Sequence, residues 1–366
     1  MSSVTGKGRA ISAGGWYGTA KCRPFNMLVK SLHRYYLLGS CLLLAGLLVF
    51  HSTTPEKDFP QETVVSSITN SANQPILPIL PYISANQTKV QLGEKLFHEP
   101  MLSENGRVSC SSCHNLKTAG HDGLPTSIDI RGGMDELNTP TLFNASLNYS
   151  LSWTGHIKTL EEQIETVMHN PKHMGSSWER AMGRMRADKT YQGLFQSIYP
   201  DGVTDEAVID ALSEYERTLI TPDSPFDRYL KGELNAINKQ AKAGYELFKS
   251  YGCISCHQGQ NVGGQLFAKF GLFRSFFNEK DKLTNADLGR YRVTGKAVDR
   301  HVFRVPSLRN VARTAPYFHD GSITTLPDAV RYMGDLQLGR RIPDEDVGLI
   351  VSFLESLTGI YQGRAL

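Results

Sequence analysis

Apolar residues recur at helical spacing in two well-separated stretches. Over 205–219, Val208, Leu212, Tyr215 and Leu219 form one stripe, with Thr204 before it as N-cap and Asp205 and Glu206 in the first turn. A hydroxyl at the cap and carboxylates in the first turn answer the unpaired N–H groups and positive end of a helix. Over 344–357, Val347, Ile350, Val351, Leu354 and Leu357 form the second stripe, opened by Asp344, Glu345 and Asp346 and closed by Gly359, a glycine being the usual residue just past a helix end. Shorter amphipathic pieces, Gly93-Glu-Lys-Leu-Phe97 and Gly244-Tyr-Glu-Leu-Phe248, share one outline. The chain therefore reads as a degenerate internal repeat of helix, loop and closing helix. Few segments alternate apolar and polar over strand lengths, so the expected fold is mostly α. Two units are expected, 86–222 and 223–366, divided at the turn-rich Thr221-Pro222-Asp223-Ser224-Pro225.

The N-terminal part follows a different pattern. Tyr35 to Phe50 is a nearly uninterrupted apolar run preceded by Lys30, His33 and Arg34, the outline of an export signal. No small-residue cleavage site follows, so residues 1–51 are read as a leader carrying a signal or an uncleaved signal anchor over 35–50. Residues 52–85 hold Pro, Ser, Thr and Asn with little periodicity and read as a flexible tether.

The loop of each repeat carries the decisive chemistry: Cys110-Ser-Ser-Cys113-His114 and Cys253-Ile-Ser-Cys256-His257. C-x-x-C-H is the attachment signature of c-type haem. Two thiols on one turn reach the two haem vinyls as thioethers, and the next residue supplies the proximal imidazole. Two copies imply two covalent haems, ligated by His114 and His257. The remaining cysteines, Cys22 and Cys41, lie upstream of the repeat, so no disulfide framework is implied, and covalent haem attachment agrees with export. A formal net charge of +3 over 366 residues sets up no strong basic field and gives no reason to expect nucleic acid as a partner.

From about residue 88 to 360 the chain resembles the bacterial dihaem cytochrome c peroxidase/MauG superfamily. The resemblance rests on Asp122-Gly-Leu-Pro-Thr-Ser-Ile128, Asn138-Thr-Pro-Thr-Leu-Phe-Asn144, Trp153, Leu160-Glu-Glu-Gln163, Val305-Pro-Ser-Leu-Arg-Asn310, Thr314-Ala-Pro-Tyr-Phe-His-Asp-Gly321 and Asp328-Ala-Val-Arg-Tyr-Met-Gly334. It implies a low-potential peroxidatic haem on the first motif and a high-potential electron-entry haem on the second. It implies Met333, fourteen residues after His319, as the second haem's sixth ligand; thioether ligation raises the potential of a haem. Tyr332, one residue off that register, is the rival. Trp153 is implied as the residue through which electrons cross, Gln163 as a pocket residue that orients water or peroxide, and Asn138, Thr314 and Pro316 as ligands of one calcium ion, oxygen donors suiting a hard cation.

Two departures fall on the distal side of the first haem. Where many relatives carry a gating histidine after the Thr-Ser-Ile stretch, this chain has Ile130, which cannot ligate iron. Where the family pattern Asn-Pro-x-Glu-Met-Gly has glutamate, this chain reads Asn170-Pro-Lys-His173-Met-Gly175. His173 is read as the acid–base group, with iron ligation or no role as the alternatives; His169 is its rival. Thr154 and His156 stand where the family has Asp and Arg.

The expected activity is periplasmic reduction of hydrogen peroxide to water with electrons from a small donor, a cytochrome c or a cupredoxin. The alternatives are MauG-like oxidation of a partner protein, and a non-catalytic electron-transfer or redox-sensing cytochrome. A second copy of this chain is a candidate partner, and residues 35–50 a candidate tether to the inner membrane.

Overall fold

The computed structural model describes residues 74–81 and 84–366. The signal or anchor over 35–50, and the tether up to residue 73, lie outside the described residues. Among those described, no helix is long and apolar enough to cross a membrane.

The structure is mostly helical. In chain order the longer helices are α1 (Gln87–Phe97), α2 (Leu160–His169), α3 (Trp178–Ala187), α4 (Lys189–Gln196), α5 (Asp205–Thr218), α6 (Pro225–Leu230), α7 (Lys239–Ser250), α8 (Leu326–Tyr332) and α9 (Asp344–Glu355). Strand content is small: β1 (Phe267–Lys269) pairs antiparallel with β2 (Val302–Arg304), with Ala268 opposite Phe303, and β3 (Ile360–Tyr361) with β4 (Arg364–Ala365). The opening caps are as expected, but Gly359 does not cap α9, whose C-cap is Ser356; Gly359 is instead pressed against the Thr221 carbonyl, 2.0 Å from where its Cβ would lie. Thr204 accepts from the Ala207 N–H at the start of α5, and the acidic first turn of α9 is in place.

The internal repeat is physical. α1 crosses α5, and α7 crosses α9, each pair flanking a haem-attachment loop. Both crossings depend on glycine. A Cβ on Gly93 would lie 2.0 Å from the Ala211 carbonyl oxygen, and one on Gly244 would lie 1.9 Å from that of Leu349. Backbones this close leave no room for any side chain, which explains why the two pentapeptides share their first residue. Each crossing has its own core. Leu92, Leu96 and Phe97 meet Val208, Leu212 and Tyr215 in the first; Tyr245 and Phe248 meet Val347, Ile350 and Leu354 in the second. Phe353, outside the stripe read from the sequence, is fully buried. Its ring lies 5.0–5.1 Å from Phe226, Tyr245 and Phe248.

Two segments depart from the expected organisation. Residues 74–81 were read as part of the flexible tether, yet Ile76 and Ile79 are completely buried in the second core. The segment is strapped by backbone groups: the Leu77 carbonyl accepts from Arg309 at 2.9 Å and the Ile79 N–H donates to Asp227 at 3.3 Å. The stretch Pro75-Ile-Leu-Pro-Ile-Leu-Pro81 repeats every three residues, which is neither helical nor strand spacing, so its burial carried no recognisable signal. At the other end, Tyr361 packs its ring 4.8 Å from Phe143 of the first core, and Leu366 joins the same core.

The turn-rich stretch at 221–225 is a buried junction. Thr221 is fully enclosed, exchanging hydrogen bonds with Asn144 (2.8 Å in each direction) and accepting from Asn310 at 2.9 Å. Beside it Arg309 and Asp227 form an ion pair of 2.8 Å with both side chains at zero exposure. Arg309 also donates to Ser224 Oγ and the Gln260 carbonyl. A buried charge left without its partner costs about 3–5 kcal/mol. Arg309→Ala therefore lowers thermal stability by an amount of that order, read from the shift in Tm with haem content monitored alongside. A shift no larger than that of an exposed arginine control would remove the pair from the account of how the halves are joined.

Candidate functional site

The first C-x-x-C-H motif forms a single helical turn, Cys110–Cys113, so both thiols emerge on one side and His114 follows directly. The His114 ring is enclosed, and its Nδ1 lies 3.2 Å from the Gly120 carbonyl. A carbonyl can only accept, so Nδ1 carries the proton and Nε2 is left with its lone pair for a metal. Burial lowers the basicity of His114, which keeps the ring neutral, the form that ligates. Met174, the neighbour of His173, is buried in the first core, and Cys110 of the motif packs against that same core. The fold has therefore brought the loop of His173 to the core on which the first motif packs.

His173 sits in the loop after α2. Its Nε2 is 3.2 Å from Asp135 Oδ2, while Nδ1 is sealed from solvent with no hydrogen-bond partner. An enclosed nitrogen without a partner is costly, and a ligand in the adjoining haem pocket would relieve it. Gln163 is half-buried on α2. His169, the rival acid–base residue, is exposed, paired with Glu165 at 3.0 Å, and not part of an enclosed site.

The second motif forms a tight turn, Cys253–Ser255, entered through Gly252 at φ +93°. Here a cavity of about 260 Å³ is lined by Cys253, Cys256, His257, Phe248, Trp153 and Met333 among others. It is walled mainly by apolar side chains and has a thioether and an imidazole on it, which suits a planar apolar macrocycle with two axial ligands. Burial pushes the His257 imidazole down to about 4, so it too is neutral. Met333 begins a π-helical segment, Met333–Gln337, that continues α8; a widened turn of this kind often marks a functional position. Tyr332 instead packs its ring against Phe276 and Phe318, at 6.4 and 6.2 Å, and is not among the residues on the cavity wall.

Trp153 lines the same cavity, and its Nε1 donates to the Asn138 carbonyl at 2.9 Å. The Asn138 side chain in turn donates to the carbonyls of Leu124 and Pro125 at 2.9 and 3.2 Å, in the loop that follows His121 and Asp122. Trp153 is thus tied by two steps of hydrogen bonding to the segment beside the first haem motif. Its ring also lies 6.4 Å from that of His319, which is buried and bonded to Asp287 at 2.8 Å. Asp287, His319 and Asp320 converge closely enough to suggest a cation site, but Lys280 already lies between the carboxylates at 2.5 and 2.6 Å. The ammonium fills the place a cation would take, and His319 first and Lys280 second hold both carboxyls below their ordinary range despite burial.

Residues 87–235 match the family model described as di-haem cytochrome c peroxidase. The chain is 43% identical over 291 residues to the cytochrome c peroxidase Ccp of Escherichia coli, covering 79% of this chain and 62% of that protein. It is 41% identical over 290 residues to the cytochrome c551 peroxidase of Nitrosomonas europaea, covering 79% and 85%. Among solved structures, a MauG-like protein associated with microbial copper homeostasis superposes with a TM-score of 0.68 at 28% identity, over 77% of this chain and 93% of that one. This chain belongs to the di-haem cytochrome c peroxidase family. The family is one of oxidoreductases and implies haem c as the cofactor, which both C-x-x-C-H sites fit.

Against that family background, the local departures acquire physical explanations. Ile130 lies in a hairpin closed by Asp129, whose Oδ1 accepts from the Arg131 and Gly133 N–H groups at 2.8 and 2.9 Å. The Ile130 N–H donates to the Lys172 carbonyl at 2.9 Å. The stretch that lacks the gating histidine is thereby pinned to the loop that carries His173. Thr154 and His156 form a 2.7 Å hydrogen bond, with Ser152 3.1 Å from the same ring nitrogen, and Arg290 covers the turn by donating to the Thr154 carbonyl. A Thr–His hydrogen bond thus helps close this turn. Of the residues implied for calcium, Asn138, Thr314 and Pro316 all line the large cavity. Asn138 Oδ1 and the Thr314 and Pro316 carbonyl oxygens accept no hydrogen bond among the described residues.

Sequence reasoning did not single out Asp135, Asp287 or Glu216. Glu216 on α5 is fully enclosed, and burial pushes its carboxyl up to about 8. It lies opposite the solvent side of an otherwise regular amphipathic stripe, which was the one available signal.

Proposed function

We propose that this chain reduces hydrogen peroxide to water, using two electrons and two protons for each peroxide cleaved to two waters. The observation that carries the reading is the pairing of two unlike sites. One has an imidazole with a sealed, partnerless nitrogen in a loop packed on the first core, as Cys110 is; the other has a methionine on the wall of the apolar cavity that His257 also lines. The haems, when bound, would supply electron storage and the iron at which the O–O bond is broken.

The protein's own residues do the rest. His114 and His257, both kept neutral by burial, would each supply an imidazole to an iron. Met333 would supply a thioether to the second, a ligand that favours the reduced form and suits electrons arriving one at a time from a small periplasmic donor such as a cytochrome c or a cupredoxin. Trp153, anchored through Asn138, fixes the medium between the sites, and the buried Thr221–Asn144–Asn310 junction keeps their separation constant. His173 takes a proton from the near oxygen of peroxide and returns it to the leaving one; Gln163 assists in orienting it. Three oxygens without donors on one cavity wall support a calcium ion at Asn138, Thr314 and Pro316; equilibrium dialysis against Ca²⁺ checks this, and no uptake would remove it. The apolar run at 35–50 supports export, and covalent haem attachment agrees with a periplasmic site of action.

The deciding experiment uses the holoprotein. Ile130 leaves nothing in its hairpin to withdraw from iron, so fully oxidised and half-reduced protein are expected to react with peroxide at comparable rates. EPR of the ferric protein should show a high-spin signal from the first haem. Two low-spin signals, with reaction only after half-reduction, would mean that another residue caps the iron. The capped form would move a sensing or electron-transfer role ahead. Met333 on the cavity wall favours peroxide reduction over MauG-like oxidation of a partner protein.

A further inference from the structure

Asp135 is the one carboxylate bonded to His173, and its own position is fixed from several sides. Its backbone N–H donates to the Ser127 carbonyl at 2.8 Å. Oδ1 accepts from Lys172 Nζ at 2.9 Å and from the Glu136 N–H at 2.7 Å, while Oδ2 faces His173 Nε2 at 3.2 Å. The side chain is 13% exposed, against 38% for His173. These contacts, with His173 foremost, hold the carboxyl well below its ordinary range. An ionised carboxylate can only accept. The proton of the neutral His173 ring must then lie on Nε2, and the lone pair on Nδ1. Nδ1 is the atom sealed from solvent without a partner.

We infer that Asp135 is the positioning residue of the distal site: its carboxylate takes the Nε2–H of His173, turns the ring, and leaves Nδ1 as the atom that accepts the peroxide proton. The inference rests on reading His173 as the acid–base group. A histidine in this place needs such a partner, because its two nitrogens are distinct and only one tautomer presents a base to the enclosed side. A glutamate has two equivalent oxygens and no tautomer to choose. The carboxylate also favours the imidazolium that forms while the proton is held, before it is returned to the leaving oxygen. Asp135 belongs to the segment following the hairpin that carries Ile130, and that hairpin is itself bonded to the loop of His173 through the Lys172 carbonyl. The residue that orients the base and the hairpin that lacks a gating ligand are therefore one structural piece.

The test measures the single-turnover rate of the two-haem protein with hydrogen peroxide, alongside haem content and the EPR spectrum. Asp135→Asn is expected to slow the reaction by about 10–100-fold, the usual cost of removing an orienting partner, with haem content unchanged. Asp135→Glu recovers part of the rate, and Asn105→Ala, which loosens the hairpin by removing the bond to the Ile130 carbonyl but leaves the contacts of Asp135 and His173 in place, does not slow it. In a His173→Ala background, Asp135→Asn adds nothing further, because the group it positions is gone. A wild-type rate for Asp135→Asn beside a slow His173→Ala would overturn the role of Asp135 and leave that of His173 standing. Wild-type rates for both would overturn both. An equal loss in Asn105→Ala, or an additive loss in the double variant, would make Asp135 a loop fastening and defeat the inference.

Discussion

His173→Ala slows peroxide reduction by about 10²–10⁴-fold, the range that a positioned acid–base group contributes. Peroxide bound end-on needs its proton moved from one oxygen to the other before the second can leave as water. His173 has what this requires: a loop packed on the same core as Cys110, one nitrogen fixed on Asp135, and the other enclosed and without a partner. Alanine removes the base and leaves the loop, since Met174 is anchored in the first core and its carbonyl accepts from the Glu104 N–H at 2.8 Å. Haem content and the spectrum of the second haem are expected to stay as they are. His173→Glu, which recreates the family pattern, returns part of the rate. A faster reaction in His173→Ala would identify the imidazole as an inhibitory iron ligand. No change in either variant would pass the role to water held at Gln163, because His169 is committed to Glu165 at the surface.

Met333→His lowers the reduction potential of the second haem by a few tenths of a volt, within the span of about 0.8 V that axial ligands control. It also abolishes the weak near-infrared band of methionine-ligated ferric haem. A thioether is a soft, neutral ligand that favours ferrous iron, whereas a second imidazole favours ferric. Met333 shares one apolar cavity with Cys253, Cys256 and His257 and starts the widened turn of α8, while Tyr332 packs against Phe276 and Phe318. Electrons from a donor poised near the native potential would then fail to load the haem, so steady-state turnover falls even though the first haem still meets peroxide. An unchanged potential and band would take Met333 off the ligand list.

What the chain determined by itself was local. A turn of four residues places Cys110 and Cys113, or Cys253 and Cys256, on one side with the histidine next in line, so both attachment sites were legible without any tertiary information. Thr204 and the acidic residues opening α5 and α9 act within one helical turn, and the shared outline of the two pentapeptides that begin at Gly93 and Gly244 marked the internal repeat. Tertiary structure decided whatever depends on residues distant in sequence. Asp135 and His173 are thirty-eight positions apart, and a carboxylate in a loop carries no local sign of its partner. Ile76 and Ile79 reach a core built from residues some 150 positions away, through backbone bonds that any sequence could make. Lys280 between Asp287 and Asp320 takes the place of the cation in what looks like a metal cluster. Short-range geometry follows from covalent spacing and helical period, whereas the protonation and tautomer of a buried group follow from whichever charges the fold brings to it.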